Sequence, residues 1–218
     1  MGIIERKERE KEQRRNEIID AAEKVFFDKG VDNATMDAVA EIAELSKGTL
    51  YLYFKNKEDL HFAICMRGLT ILKQELENVI SPQRTIIENL IHVGFAFVKF
   101  ARINADYFKV LSHFEGKSNE ECHVEHKHTE KDEVMELLVN LIEKGIEEGT
   151  IRKEINPNVV AHILWAQTTG VLQLMSVKKF HLDLNKITDD DFIMAHFEVV
   201  ANGIRAGEAS LDIKKYFN

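Results

Sequence analysis

The stretch TMDAVAEIAELSKGTLYLYFKNK, residues 35–57, decides how this chain is read. Thr35 can cap a short helix, its hydroxyl accepting from a backbone N–H two or three residues on. Met36, Val39, Ala40 and Ala43 then recur at helical spacing and form one apolar face. Leu45 is the apolar residue of the following turn, placed to fill the gap between two helices. Ser46 is a second cap, opening a helix from Lys47 to Phe54 whose Leu50 and Phe54, four apart, face inward. Asn56 caps a third helix, with Glu58 and Asp59 in the first turn, where the helix dipole favours acids.

The outward residues of the second helix are Lys47, Thr49, Tyr51 and Tyr53. No acid lies between Leu45 and Lys57, while Lys47, Lys55 and Lys57 concentrate positive charge in a chain of formal net charge -8. Phosphate contacts use this mixture: an ammonium for charge, hydroxyls as neutral donors, and free backbone N–H groups at a helix start. Gly48 removes a side chain where a partner's backbone would approach. A helix about 10 Å wide fits a major groove about 12 Å wide. The pattern is that of a DNA-reading helix-turn-helix.

Working outward, Ile18, Ile19, Ala22, Val25 and Phe26 form a helical face that ends at Asp28-Lys29-Gly30, with glycine at the left-handed terminal position. The charged residues before it include Arg14 and Arg15, candidates for phosphate contact from an N-terminal arm. Downstream, one helix is expected from Lys57 to about Val79, roughly 34 Å long and able to enter a second domain. Ser81-Pro82 reads as cap then first-turn proline of the next helix. The residues Ile86 to Phe100 are apolar nearly all round, as in a central buried helix. Further helices are expected at Ala105–Phe114, Val134–Ile146, behind Asn156-Pro157, and behind Thr188 with its three aspartates. The last two have apolar residues on more than one side, which calls for a partner such as a second copy of the chain.

Composition agrees with an all-α fold. The 218 residues are 44% hydrophobic and 30% charged, with two prolines and two cysteines. That profile belongs to a water-soluble globular chain with a substantial core. Two cysteines fit a reducing compartment and no disulfide framework. Polar residues from His162 to Ser176 argue against a membrane span there, so the expected location is the cytoplasm. Phosphate-loop, nucleophile-elbow and HExxH motifs are absent, and no enzymatic function or cofactor is expected.

These blocks, in order and at this spacing, resemble the TetR (tetracycline-repressor-like) family of bacterial transcriptional regulators. The resemblance rests on Ile18-Ile19-Asp20-Ala21-Ala22 with Phe26 and Gly30, Thr35–Ala40, Ser46–Phe54 and Lys57–Leu60. One departure is Glu44, where the family usually has glycine; a non-glycine residue at positive φ costs on the order of 1 kcal/mol. The resemblance implies a DNA-binding domain at residues 12–72 and a helical effector-binding and dimerisation domain at residues 73–218. It implies a homodimer whose last two helices form a four-helix interface, a double-stranded DNA operator, and release by a small-molecule effector, for which a hydrophobic or amphipathic compound is expected. Thr35 would meet phosphate, Lys47, Thr49 and Tyr51 the groove, and Tyr53 and Lys57 the DNA backbone, with Gly48 allowing close approach.

For the effector, the second half offers His92, Phe95, Phe100, Tyr107, Phe108, Trp165 and Gln167. An apolar interior with a few polar groups is what a small-molecule site needs. An alternative is a metal- or thiol-responsive regulator using residues 113–128, where His113, Glu121, Cys122, His123, Glu125, His126 and His128 cluster. That spacing permits zinc ligation but matches no known closed site, and no metal is assigned. A helical protein whose helix-turn-helix has lost DNA activity also stays open.

Overall fold

Side-chain caps set where several helices of this protein begin. In the computed structural model, residues 2–115, 130–176 and 188–207 are described. Thr35 Oγ1 accepts from the Ala38 N–H at 3.2 Å, Ser46 Oγ from Thr49 at 3.1 Å, and Asn56 Oδ1 from Asp59 at 2.7 Å. Thr188 and Asp191 form a reciprocal capping box. Each cap satisfies an N–H that has no partner within its helix and is worth about 1 kcal/mol.

The helices are α1 (Ile3–Asn33), α2 (Met36–Ile42), α3 (Lys47–Tyr51), α4 (Lys57–Asn78), α5 (Ile86–Ile103), α6 (Ala105–Glu115), α7 (Glu130–Glu147), α8 (Pro157–Ser176) and α9 (Asp189–Ile204). Among the described residues there is no named strand, only an isolated antiparallel bridge between Ile151 and Arg205. No helix among them is long and apolar enough to cross a membrane. Gly30 sits at φ 76, ψ 163 and interrupts α1, a conformation that only glycine adopts without strain.

Two helix starts differ from the sequence reading: α7 begins four residues before the expected Val134, and α5 begins after the expected Ser81-Pro82. Ser81-Pro82 forms a turn, with the Arg84 N–H bonded to the Ser81 carbonyl, and α5 begins four residues later. Thr85 caps it, bonding the Glu88 N–H while the Glu88 carboxylate returns to the Thr85 N–H. Buried Asn89 locks the turn, accepting from the Ser81 N–H and donating to the Ser81 carbonyl, both at 2.9 Å. Asparagine, holding both a donor and an acceptor, satisfies both backbone groups of Ser81 at the start of the turn, which proline position alone does not show.

The chain divides into two compact units. The first holds the residues up to Leu69 together with α6. Its core is the predicted face of α1 (Ile18, Ile19, Ala22, Val25, Phe26) with Val39, Ala40, Leu50, Phe54, Leu60 and Ile64, all buried. Full burial of a side chain such as Leu50 contributes roughly 1.5–3 kcal/mol. Tyr107 of α6 donates to Glu23 of α1 at 2.6 Å, and Arg67 of α4 pairs with Asp20 and Glu23 at 2.6 and 3.0 Å. Three helices of this unit therefore share one ionic network. Burial, and then the bond to Glu23, push the Tyr107 phenol well above its ordinary pKa.

The second unit holds Thr70–Ile103 and the described residues from 130 onward. Its core comes from α5, α7, α8 and α9. Backbone bonds from Arg152 N–H to the Ile204 carbonyl (3.0 Å) and from Ala206 N–H to the Thr150 carbonyl (2.9 Å) tie the end of α7 to the end of α9.

Candidate functional site

In the helix-turn-helix, Leu50 points fully inward, and Lys47, Gly48 and Tyr51 lie on the exposed side of α3. Thr49 is half-buried; its hydroxyl lies 2.8 Å from Ser46 Oγ. A Cβ on Gly48 would meet only Ser46 Oγ, at 3.9 Å, so the missing side chain serves no internal packing. The turn places Glu44 at φ 54, the strained conformation expected for it. Thr35 is exposed beside the start of α2.

Three contacts in this region were not legible in the sequence. Lys47 Nζ is 2.6 Å from Asp37 of α2, an exposed pair that holds the ammonium above its ordinary pKa through the hydrogen bond and then the charge. Such a pair contributes little to stability and exchanges readily for another anion. Leu52, just past α3, is 81% exposed and stands out as an apolar candidate contact. The Arg15 guanidinium lies 5.0 Å from the Phe54 ring centroid and Arg14 pairs with Glu17 at 2.7 Å, so both arginines have partners within the unit.

Lys57 is partly engaged within the unit. Its ammonium donates to the carbonyls of Val31 (3.1 Å) and Asp32 (3.2 Å), just beyond the break in α1. Carbonyls near a helix end lack helical partners and attract a cation, so two of the three Lys57 donors are held inside the unit rather than left for a DNA backbone. Tyr53 is half-buried beside buried Phe54.

The second unit contains a cavity among α4, α5, α7, α8 and α9. Leu76, Phe97, Leu138, Trp165 and Phe197 line it, with Thr168 and His196 as its polar side chains among the described lining residues. The space open to the centre of a water-sized sphere is about 50 Å³, several times the roughly 10–15 Å³ that one water requires. Phe97 and Trp165 stack at 4.9 Å between ring centroids, and Phe95 meets Phe197 edge-on at 4.8 Å. Thr168 Oγ1 and His196 Nε2 are 3.3 Å apart. Burial pushes the His196 imidazole below its ordinary value, so it is neutral at neutral pH.

The chain matches two family models. "Bacterial regulatory proteins, tetR family" covers residues 18–64 and "Tetracyclin repressor-like, C-terminal domain" covers residues 64–200. This protein belongs to the TetR family. The uncharacterized HTH-type transcriptional regulator YhgD of Bacillus subtilis (strain 168) is 30% identical over 153 residues, covering 69% of this chain and 78% of that protein. The fatty acid metabolism regulator protein of the same organism is 25% identical over 170 residues, covering 76% and 86%. Among solved structures, the fatty acid degradation regulator FadR from Bacillus halodurans has a TM-score of 0.65 at 21% identity, covering 89% of this chain and 97% of that one, and shares the fold.

As a TetR-family member the protein is a DNA-binding transcriptional regulator and not an enzyme. Of the residues expected for an effector, Trp165 lines the cavity and the others do not. Tyr107 and Phe108 belong to the first unit, because α6 packs on α1. Gln167 is exposed: it follows Trp165 by two residues, about 200° around the helix. Phe100 is buried in packing, and Phe95 supports the Phe197 ring from behind. His92 is half-buried and outside the lining, its pKa lowered by burial and then by Arg84. Composition does not separate cavity aromatics from core aromatics, since both satisfy the same periodicity. His196 was missed because a single histidine on an apolar face carries no distinguishing signal.

Of the segment 113–128, His113 is half-buried with Nε2 3.5 Å from Asp32, and residues 116–128 lie outside the described residues. Among the described residues no group of three or more His, Cys, Asp or Glu side chains could hold a metal ion.

Proposed function

We propose that this protein is a cytoplasmic, homodimeric repressor released from its operator by a small, largely apolar effector. The cavity beside Trp165 carries the ligand-responsive part of the reading. It is lined by apolar side chains with few polar groups, as ligand sites are. In this reading the first unit, which includes α6, would bind DNA, and the second would bind the effector and dimerise.

The surfaces of α8 and α9 support the dimer. Val159, Ile163, Ala166, Gly170 and Leu174 repeat along an exposed stripe of α8, and Ala195, Val199, Asn202 and Gly203 along α9. Val199 is 72% exposed, costly for a solvated valine and normal for an interface residue. The small residues among them allow close helix approach. A twofold pair would present two copies of α3 to grooves one turn, roughly 34 Å, apart or somewhat more.

On DNA, Thr35 and Tyr53 would contact phosphates, and Lys47, Gly48, Thr49 and Tyr51 would enter the groove. Lys47 would leave Asp37 for the nucleic acid. Effector binding would favour a dimer state with the wrong helix spacing. A coupling of about 1–3 kcal/mol changes DNA affinity 5- to 150-fold.

The test is selection of a duplex from random sequence, followed by anisotropy titration over a range of salt. Lys47→Ala and Tyr51→Ala should each weaken binding, and Lys47→Ala should reduce the salt slope by about 1. Unchanged affinity in both variants refutes the assignment of α3, and a monomer at micromolar concentration by light scattering refutes the paired-site mechanism.

A further inference from the structure

We propose that the cavity selects an uncharged, largely apolar ligand bearing one hydroxyl or carbonyl oxygen, which bonds to the Thr168–His196 pair. This rests on the reading of the cavity as the effector site. The pair is placed for it. Thr168 Oγ1 and His196 Nε2 lie 3.3 Å apart, from α8 and α9, and both residues line the space. The remaining described lining is aliphatic, aromatic or glycine.

The bond inside the pair has two senses, depending on which ring nitrogen carries the proton. If Nε2–H donates to Oγ1, the threonine hydroxyl is free to donate to a ligand carbonyl. If Nε2 accepts from the hydroxyl, Oγ1 keeps lone pairs for a ligand hydroxyl. One pair therefore serves either oxygen type without a charged group. A carboxylate here would leave water and either meet a hydroxyl and a neutral ring or draw a proton onto a ring that burial disfavours charging. Either course costs more than burial of a hydroxyl that finds one bond. The aromatic wall from Phe97, Trp165 and Phe197 supplies the apolar contact.

Trp165 is the chain's one tryptophan and stands in the cavity wall, so its fluorescence reports occupancy directly. The full-length protein is titrated at neutral pH with hexanol, hexane and hexanoate. Hexanol is expected to bind at least about tenfold more tightly than hexanoate. Thr168→Val, which keeps the side-chain shape, should weaken hexanol by roughly fivefold, the worth of one hydrogen bond, and leave hexane unchanged or slightly tighter. Circular dichroism melting of each variant confirms that it is folded.

The proposal is overturned if hexanoate binds as tightly as hexanol, if Thr168→Val changes hexanol and hexane alike, or if none of the three perturbs Trp165. Val200→Phe, which fills the cavity from α9, separates this inference from the reading beneath it. Hexanol binding that survives Val200→Phe places the ligand elsewhere and removes the effector-site reading. Binding lost in Val200→Phe but indifferent to the head group removes only the selectivity proposed here.

Discussion

Gly94→Ala tests the packing between α5 and the cavity wall. An added Cβ would lie 2.3 Å from Phe197 Cε1 and 2.7 Å from Cζ. Ordinary contact begins near 3.4 Å, so the ring must shift by roughly 1 Å. That ring is already fixed by Phe95 at 4.8 Å and His196 at 5.1 Å. Two effects oppose each other. Alanine inside a helix is favoured over glycine by about 0.8–1 kcal/mol. Overpacking a well-filled site costs typically 1–3 kcal/mol. The clash is with a held ring rather than the end of a flexible chain, so overpacking should win and the variant should lose about 1 kcal/mol net. Urea titration followed by circular dichroism, at fixed protein concentration, measures this. In a Phe197→Leu background the clash is relieved and the same substitution should stabilise by about 1 kcal/mol. A single variant more stable than the parent, or a coupling near zero in the double-mutant cycle, would refute the reasoning.

Tyr107→Phe removes the 2.6 Å bond to Glu23, which keeps Arg67 at 3.0 Å, and should cost about 1–2 kcal/mol in urea titration. Glu44 at φ 54 predicts that Glu44→Val destabilises by about 1–2 kcal/mol, whereas Glu44→Gly stays within about 0.5 kcal/mol, because relief of strain is offset by greater unfolded-state freedom. Burial lowers the folded pKa of His196 below its ordinary 6.5. The unfolded chain then binds the proton more readily, so stability is highest above about pH 6.5 and falls as pH drops below it. Thermal melts across pH 5–8 should show this decline, and His196→Gln should flatten it.

The helix-turn-helix was legible in the sequence because its determinants are local. Thr35, Ser46 and Asn56 cap within three residues, and Leu50 and Phe54 face inward from spacing alone. The capping of α9 by Thr188 and the break at Gly30 are of the same kind. Periodicity and cap chemistry act through neighbouring backbone groups, so a linear reading captures them.

Tertiary structure decided the rest. Lys47 meets Asp37 ten residues earlier, and Lys57 meets carbonyls twenty-five and twenty-six residues earlier, so an apparently free basic ridge is partly paired. Tyr107 and Trp165 look alike as aromatics on apolar helices; one closes an ionic network with Glu23 and the other lines a cavity. What separates them is which helices surround each ring in space. The sequence alone determined an all-α chain with a DNA-reading helix-turn-helix. Only the packing of α5, α8 and α9 decided that Thr168 and His196, twenty-eight residues apart, form one polar spot in an apolar wall.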